Sequence, residues 1–317
     1  MHEATIRRPQ EPDWATVTAE ELITYREAEN RFRASAAARA IIGSPDPEAT
    51  IQWREISLPD RDLPVRVHRP PAGTDATGLP LVLHVHGGGF VGTATQCDWA
   101  NSFLAVHLPA VIVSVEHRLL DSQTPMSAAA ADGWDALCHL LAHTAEWGVD
   151  SSRVAVFGES CGALISALLA IRARATGLRL RAQVLVNPAV DVTETMLDYP
   201  SIRAQAQRAG FVHSRFDTEF PFFRRLAAPP GTDPREVSPL YAGQLGGLAP
   251  ALVLVPTDDP VADHGRRYAE RLDAAGTPVW MIEYPGAPHA FLTLPGKVAQ
   301  AEDARADIAA FLRTALS

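Results

Sequence analysis

Phe157-Gly158-Glu159-Ser160-Cys161-Gly162 follows a short apolar run, Arg153 to Phe157, and leads into an alanine- and leucine-rich stretch, Ala163 to Ala175, with helical character. A strand, a sharp turn and a helix in that order form a nucleophile elbow. Glycines at 158 and 162 have no Cβ, so the chain can turn tightly and strand and helix can approach closely, leaving Ser160 exposed at the tip. A serine so placed is reachable by an ester or amide. The G-x-S-x-G pattern is weak by itself, because glycine is a common residue and Ser160 can be read as an ordinary turn serine.

Context strengthens the reading. Pro80 to Val85 is a buried-strand pattern running into His86-Gly87-Gly88-Gly89-Phe90, and consecutive glycines of this kind place backbone N–H groups around a developing oxyanion. Downstream lie Asp259 and His289. Ser, Asp, His is one of the known chain orders of a nucleophile–acid–base triad. Asp258 and Asp263 compete with Asp259 for the acidic role. His289 follows the turn Tyr284 to Pro288 after the expected last strand, and the competing reading is a surface-loop histidine. Of the eleven histidines, His86 is expected to brace the glycine loop and His264 to lie at a helix start, whereas His213 stays open. Cys161, at a helix N-terminus, has two readings: a thiol of lowered pKa or a small inert packing residue.

The 317 residues carry 28 Lys and Arg against 37 Asp and Glu, a formal charge of −9. With no basic run, nucleic acid is not an expected partner. The start, Met1 to Pro9, has no apolar core of a signal peptide, and no stretch approaches the roughly 20 apolar residues needed to span a bilayer. A cytoplasmic location with no membrane span is the resulting expectation. Three cysteines, Cys97, Cys138 and Cys161, at unrelated spacings indicate neither a disulfide framework nor a zinc site. With no C-x-x-C pair and no H-E-x-x-H, no metal or cofactor is called for.

Apolar runs at Ile51 to Leu58, Val65 to His68, Leu81 to Val85, Ala110 to Val115, Val154 to Phe157, Ala182 to Val186, Ala251 to Val255 and Val279 to Tyr284 alternate with helical stretches. This predicts an α/β fold: an opening antiparallel hairpin, then a mostly parallel central sheet with helices on both faces. Ahead of it, Thr18 and Glu21 make a capping-box signature, and one helix of about 20 residues is expected to run to Gly43. The alternation breaks between Asp191 and Pro239, where Phe211, Phe216, Phe220, Phe222 and Phe223 cluster. An aromatic insertion above the strand ends is expected to act as a helical cap, most of its phenylalanines packing on the core and one or two lining a pocket. The expected division is a cap segment at 1–48, core at 49–190, cap insertion at 191–238 and core again at 239–317.

His86 to Phe90, Glu116-His117-Arg118-Leu119, Gly158 to Gly162, Asp259 to Gly265, and Pro288-His289-Ala290-Phe291 together resemble the hormone-sensitive-lipase-like branch of the α/β-hydrolases, the bacterial family IV carboxylesterases. Asp233 to Leu240 is similar to the segment by which such chains return from cap to core. The resemblance implies an α/β-hydrolase fold and serine carboxylesterase chemistry on a small-molecule acyl ester of short to medium chain. Ser160 would be the nucleophile, His289 the base, and Asp259 the acid that orients it. Gly88, Gly89 and Cys161 would supply the oxyanion-binding N–H groups. Two departures stand out: His117-Arg118-Leu119-Leu120-Asp121-Ser122 replaces the family's usual Tyr-Arg-Leu-Ala-Pro-Glu, and Glu159 and Cys161 flank the serine in place of Asp and Ala. Alternatives are a dedicated deacylase of one metabolite, ester or amide, and a ligand-binding protein that has lost catalysis; the occupied triad positions disfavour the latter. Homodimerisation through an edge strand or the last helix stays open.

Overall fold

The computed structural model describes residues 7–71, 78–89, 91–208 and 215–317, with the side chains of 205–208 and 215–217 excepted. Phe90, Phe211 and His213 lie outside the described residues, as does the side chain of Phe216.

The N-terminal segment forms α1 (Ala19–Arg33) and α2 (Ala36–Ile42). The expected capping box is present: Thr18 Oγ1 accepts from Glu21 N at 3.2 Å, and Glu21 Oε2 accepts from Thr18 N at 2.8 Å. The single helix expected here is instead two. Ser35 adopts extended φ/ψ of −78° and 158°, and its hydroxyl accepts from Ala38 N, so it caps a second helix and does not continue the first. Gly43, at φ 77°, ends α2.

The sheet comprises β1 (Thr50–Ser57), β2 (Asp62–Arg69), β3 (Leu79–Val85), β4 (Val111–Val115), β5 (Val149–Glu159), β6 (Ala182–Val186), β7 (Ala251–Asp258) and β8 (Val279–Pro288). Their order is β1-β2-β4-β3-β5-β6-β7-β8. The opening hairpin pairs Thr50 with Arg69 and Ser57 with Asp62, β2 also runs antiparallel to β4, and all later pairings are parallel. The helices between strands are α3 (Asp98–His107), α4 (Met126–Ala142), the short α5 (Thr144–Trp147), α6 (Cys161–Thr176), α7 (Pro200–Arg208), α8 (Arg215–Ala227) and α9 (Ala262–Ala274), and α10 (Gln300–Ala315) follows β8.

Strand periodicity sorts them into two layers. Leu81, Leu83, Val85, Val154 and Val156 face α4 and α6, joined by Val253 and Val255 against α9. Val82, Ile112, Ala155, Phe157, Val184 and Leu254 point the other way, against α3 and α10. Both faces of β3 to β7 are therefore dry, which is why these strands read as continuous apolar runs.

Between β6 and β7 the chain leaves the sheet for α7, α8 and three 3-10 turns, Glu194–Asp198, Pro234–Val237 and Pro239–Tyr241. Phe222 and Phe223 of α8 are buried in the same apolar cluster as Trp14, Tyr25, Val91 and Cys161. Trp14 meets Tyr25 edge-on at 5.6 Å and Phe222 at 5.7 Å, so the N-terminal segment and α8 pack as one aromatic unit.

Candidate active site

Ser160 sits between the last residue of β5 and the first of α6 with φ 54° and ψ −119°, a conformation that a residue with a Cβ holds only when its surroundings enforce it. The enforcement is visible. A Cβ on Gly158 would lie 2.2 Å from Gly162 O, and one on Gly162 would lie 2.1 Å from Val85 O, so strand, turn and helix are in backbone contact that only glycine permits. Ser160 N donates to Val186 O at 2.9 Å, and Ser160 O accepts from Leu164 N at 3.1 Å. With both backbone groups engaged, the side chain projects beyond the strand ends.

His289 reaches this point from the end of β8, its Nε2 lying 3.0 Å from Ser160 Oγ. On the far side of the ring, Nδ1 lies 2.8 Å from Asp259 Oδ2. A carboxylate facing Nδ1 fixes the tautomer with the proton there, leaving the Nε2 lone pair directed at the serine hydroxyl. The Asp259 side chain is fully buried, whereas the His289 side chain is 36% exposed. Asp259 Oδ1 also accepts from Val261 N at 2.8 Å. Asp263 is engaged elsewhere, accepting from Ser201 N at 2.8 Å and Arg266 Nη1 at 2.9 Å, whereas Asp259 is placed against His289.

The glycine loop leaves β3 beside the elbow. A Cβ on Gly87 would come within 2.9 Å of Glu159 O, which records how closely loop and elbow pack. Gly88 has φ 107°, and a Cβ there would fall 1.8 Å from Val91 O, inside the tight turn that Val91 N closes on Gly88 O at 2.6 Å. Gly89 has φ 53° and donates its N–H to Cys161 Sγ at 2.9 Å. His86 lies beneath, as expected of a brace: its Nδ1 is 2.8 Å from Gly87 O, and its ring stacks on His117 at 4.2 Å. Burial, reinforced by the neighbouring His117, holds the His86 imidazole well below its usual range, so it stays neutral under the loop.

Cys161 is not an activated thiol. Burial pushes it up to about 11, against the opposing backbone N–H groups of Gly89, Gly162 and Cys161 itself. The protonated sulfur is a small acceptor packed against the glycine loop, taking the Gly89 N–H. His264 lies on the first turn of α9, its Nδ1 accepting from Asp191 N at 3.3 Å, and burial pushes its pKa down to about 4.

Two features escaped sequence reasoning. Behind the elbow, His84, Cys97 and Glu159 converge with ligand-type atoms within 4.8 Å of one another, all buried. They could hold a soft cation only after the Cys97 thiol lost its proton, and burial together with the Glu159 carboxylate holds that thiol well above its usual range. The second is Arg118, whose guanidinium grips the buried Asp132 carboxylate at 2.9–3.1 Å while Arg61 reaches the same group. This pair anchors the His117 to Ser122 loop where the family's usual Pro-Glu is missing. Neither was legible because the partners come from distant segments.

Residues 82–293 match the family described by the α/β-hydrolase fold. The chain is 32% identical to the ethyl acetate hydrolase of Pseudomonas putida, over 87% of this chain and 86% of that one. It is also 32% identical to the carboxylesterase NlhH of Mycobacterium tuberculosis, over 100% and 99% of the two chains. Among solved structures, an ester hydrolase from the metagenome of Lake Arreo, complexed with a derivative of bipyridine phosphonate, superposes with a TM-score of 0.83 at 28% identity, covering 96% of this chain and 92% of that one. Among the described residues no helix is long and apolar enough to cross a membrane.

Proposed function

The chain belongs to the α/β-hydrolase family as a carboxylic ester hydrolase of its hormone-sensitive-lipase-like branch, and from that premise we propose that it cleaves short- to medium-chain acyl esters through an acyl-enzyme on Ser160. The observation that carries this reading is the continuous hydrogen-bonded line from Ser160 Oγ through His289 to Asp259, at 3.0 and 2.8 Å.

In the proposed cycle His289 Nε2 takes the hydroxyl proton as Oγ attacks the ester carbonyl carbon. The carbonyl oxygen becomes an oxyanion and draws on the N–H groups of Gly88, Gly89 and Cys161. The imidazolium formed is stabilised by the buried Asp259 carboxylate, then gives its proton to the departing alkoxide, releasing an alcohol and leaving an acyl ester on Ser160. Water, deprotonated by the same imidazole, attacks that ester, and collapse of the second tetrahedral adduct returns the proton to Oγ and releases the acid.

The test is hydrolysis of p-nitrophenyl esters from C2 to C12 by the wild type beside Ser160→Ala. Turnover weighted to short chains and lost in the variant is the expected result. A variant as active as wild type refutes the Ser160 mechanism, and activity confined to amides or to one metabolite ester would move the reading to a dedicated deacylase.

A further inference from the structure

An aromatic side chain of α8 rests on the glycine loop. A Cβ placed on Gly89 would lie 3.0 Å from Cε2 and 3.1 Å from Cδ2 of Phe223, so the ring edge rests directly on this glycine. The ring is 8% exposed and shares a buried cluster with Val91, Cys161 and Val192. Its neighbour Phe222 is turned to Trp14, which is itself locked edge-on against Tyr25. Phe223 is thus a buried wall beside the glycine loop, while Phe222 packs on Trp14 instead.

Sheet order says which part of a substrate meets that wall. Ser160 follows β5; the glycine loop leaves β3 on one side of it, while Asp259 and His289 follow β7 and β8 on the other. A leaving oxygen must lie at His289 Nε2 to receive its proton, which directs the alcohol toward the β8 side. With the oxyanion at the Gly88 and Gly89 N–H groups and the alcohol toward β8, the acyl chain runs out over the glycine loop, where Phe223 overhangs Gly89. Resting on the serine esterase reading above, we propose that Phe223 is the specificity-determining residue that closes the acyl subsite and limits acyl length, for substrates that are esters of short, unbranched carboxylic acids.

The measurement is kcat/KM for p-nitrophenyl acetate, butanoate and octanoate with wild type, Phe223→Ala, Phe223→Trp and Phe222→Ala, alongside ethyl and butyl acetate to vary the alcohol. Phe223→Ala is expected to raise the octanoate-to-acetate ratio at least about tenfold, the scale of losing an apolar pocket wall. Phe223→Trp is expected to depress the butanoate-to-acetate ratio, and it keeps the test open if the alanine variant does not fold. Phe222→Ala removes as much apolar surface and is expected to lower the melting temperature without moving either ratio. Unchanged ratios in both Phe223 variants, in an otherwise active esterase, overturn the inference, as does a shift confined to the alcohol series. A wild type inactive on every ester instead brings down the serine esterase reading, and this inference with it.

Discussion

The N–H of Gly89 donates to the sulfur of Cys161 at 2.9 Å. A donor proposed to stabilise the transition state is therefore already occupied, in the free protein, by the side chain of the residue whose own N–H is proposed to act beside it. The sulfur is a weak acceptor, so a developing oxyanion displaces it at modest cost.

Competition for one donor sets an order. Cys161→Ala removes the competitor and is expected to raise kcat several-fold. Cys161→Ser substitutes a stronger acceptor and is expected to lower it, within the roughly 10²–10³-fold that a lost oxyanion donor costs. Steady-state kinetics on one short-chain ester give the ranking; a serine variant faster than wild type contradicts it.

Asp259 and Asp263 stand four residues apart, yet only Asp259 faces His289. Asp259→Asn is expected to reduce kcat on the order of 10⁴-fold by reversing the preferred imidazole tautomer. Asp263→Asn breaks contacts to Ser201 and Arg266 and is expected to leave kcat within a few-fold of wild type. Equal losses would remove the distinction.

Glu116 accepts from Ala94 N at 2.7 Å, and burial raises its pKa to about 7. Between the unfolded value near 4.5 and 7 the folded state holds a proton that the unfolded state has released. Its stabilising effect is therefore complete below about pH 4.5 and fades as pH rises to about 7, on the order of 1 kcal/mol per pH unit. His264, pushed down to about 4, acts in the opposite sense, stabilising above about 6.5 and losing that effect as pH falls. The two slopes offset one another between about pH 4.5 and 6.5. Glu116→Gln is expected to unmask a stability that climbs with pH in that window, read by urea melts at half-unit steps; a profile parallel to wild type would contradict the assignment.

β8 is an outer strand of the sheet and carries Trp280 and Met281 at 53% and 44% exposure. An apolar strand edge invites pairing with a second copy. Light scattering is expected to give the mass of a dimer, and Trp280→Glu that of a monomer; a monomeric wild type dismisses the pairing.

β3, β4 and β6, buried throughout, read as nearly continuous apolar stretches, and all eight strands are legible in the sequence as short runs bounded by turn residues. Their order is not, since nothing local tells β3 to insert between β4 and β5. The break at Ser35 was hidden by an alanine-rich context that favours helix, although a serine followed three residues later by Ala38 N is a sufficient cap. Motif order named Ser160, Asp259 and His289, but their convergence depends on β5, β7 and β8 ending together. The Gly89–Cys161 contact was invisible for a different reason: it turns on one χ1 angle. Phe223 stood within a group of five phenylalanines, and no local signal tells which of them leans on the glycine loop.

The most direct test of the account is mass spectrometry on protein labelled with a fluorophosphonate ester. One adduct per chain is predicted, mapped to the peptide holding Ser160, absent in Ser160→Ala and slowed by orders of magnitude in His289→Gln. Labelling at another serine, or undiminished ester hydrolysis by Ser160→Ala, would contradict it.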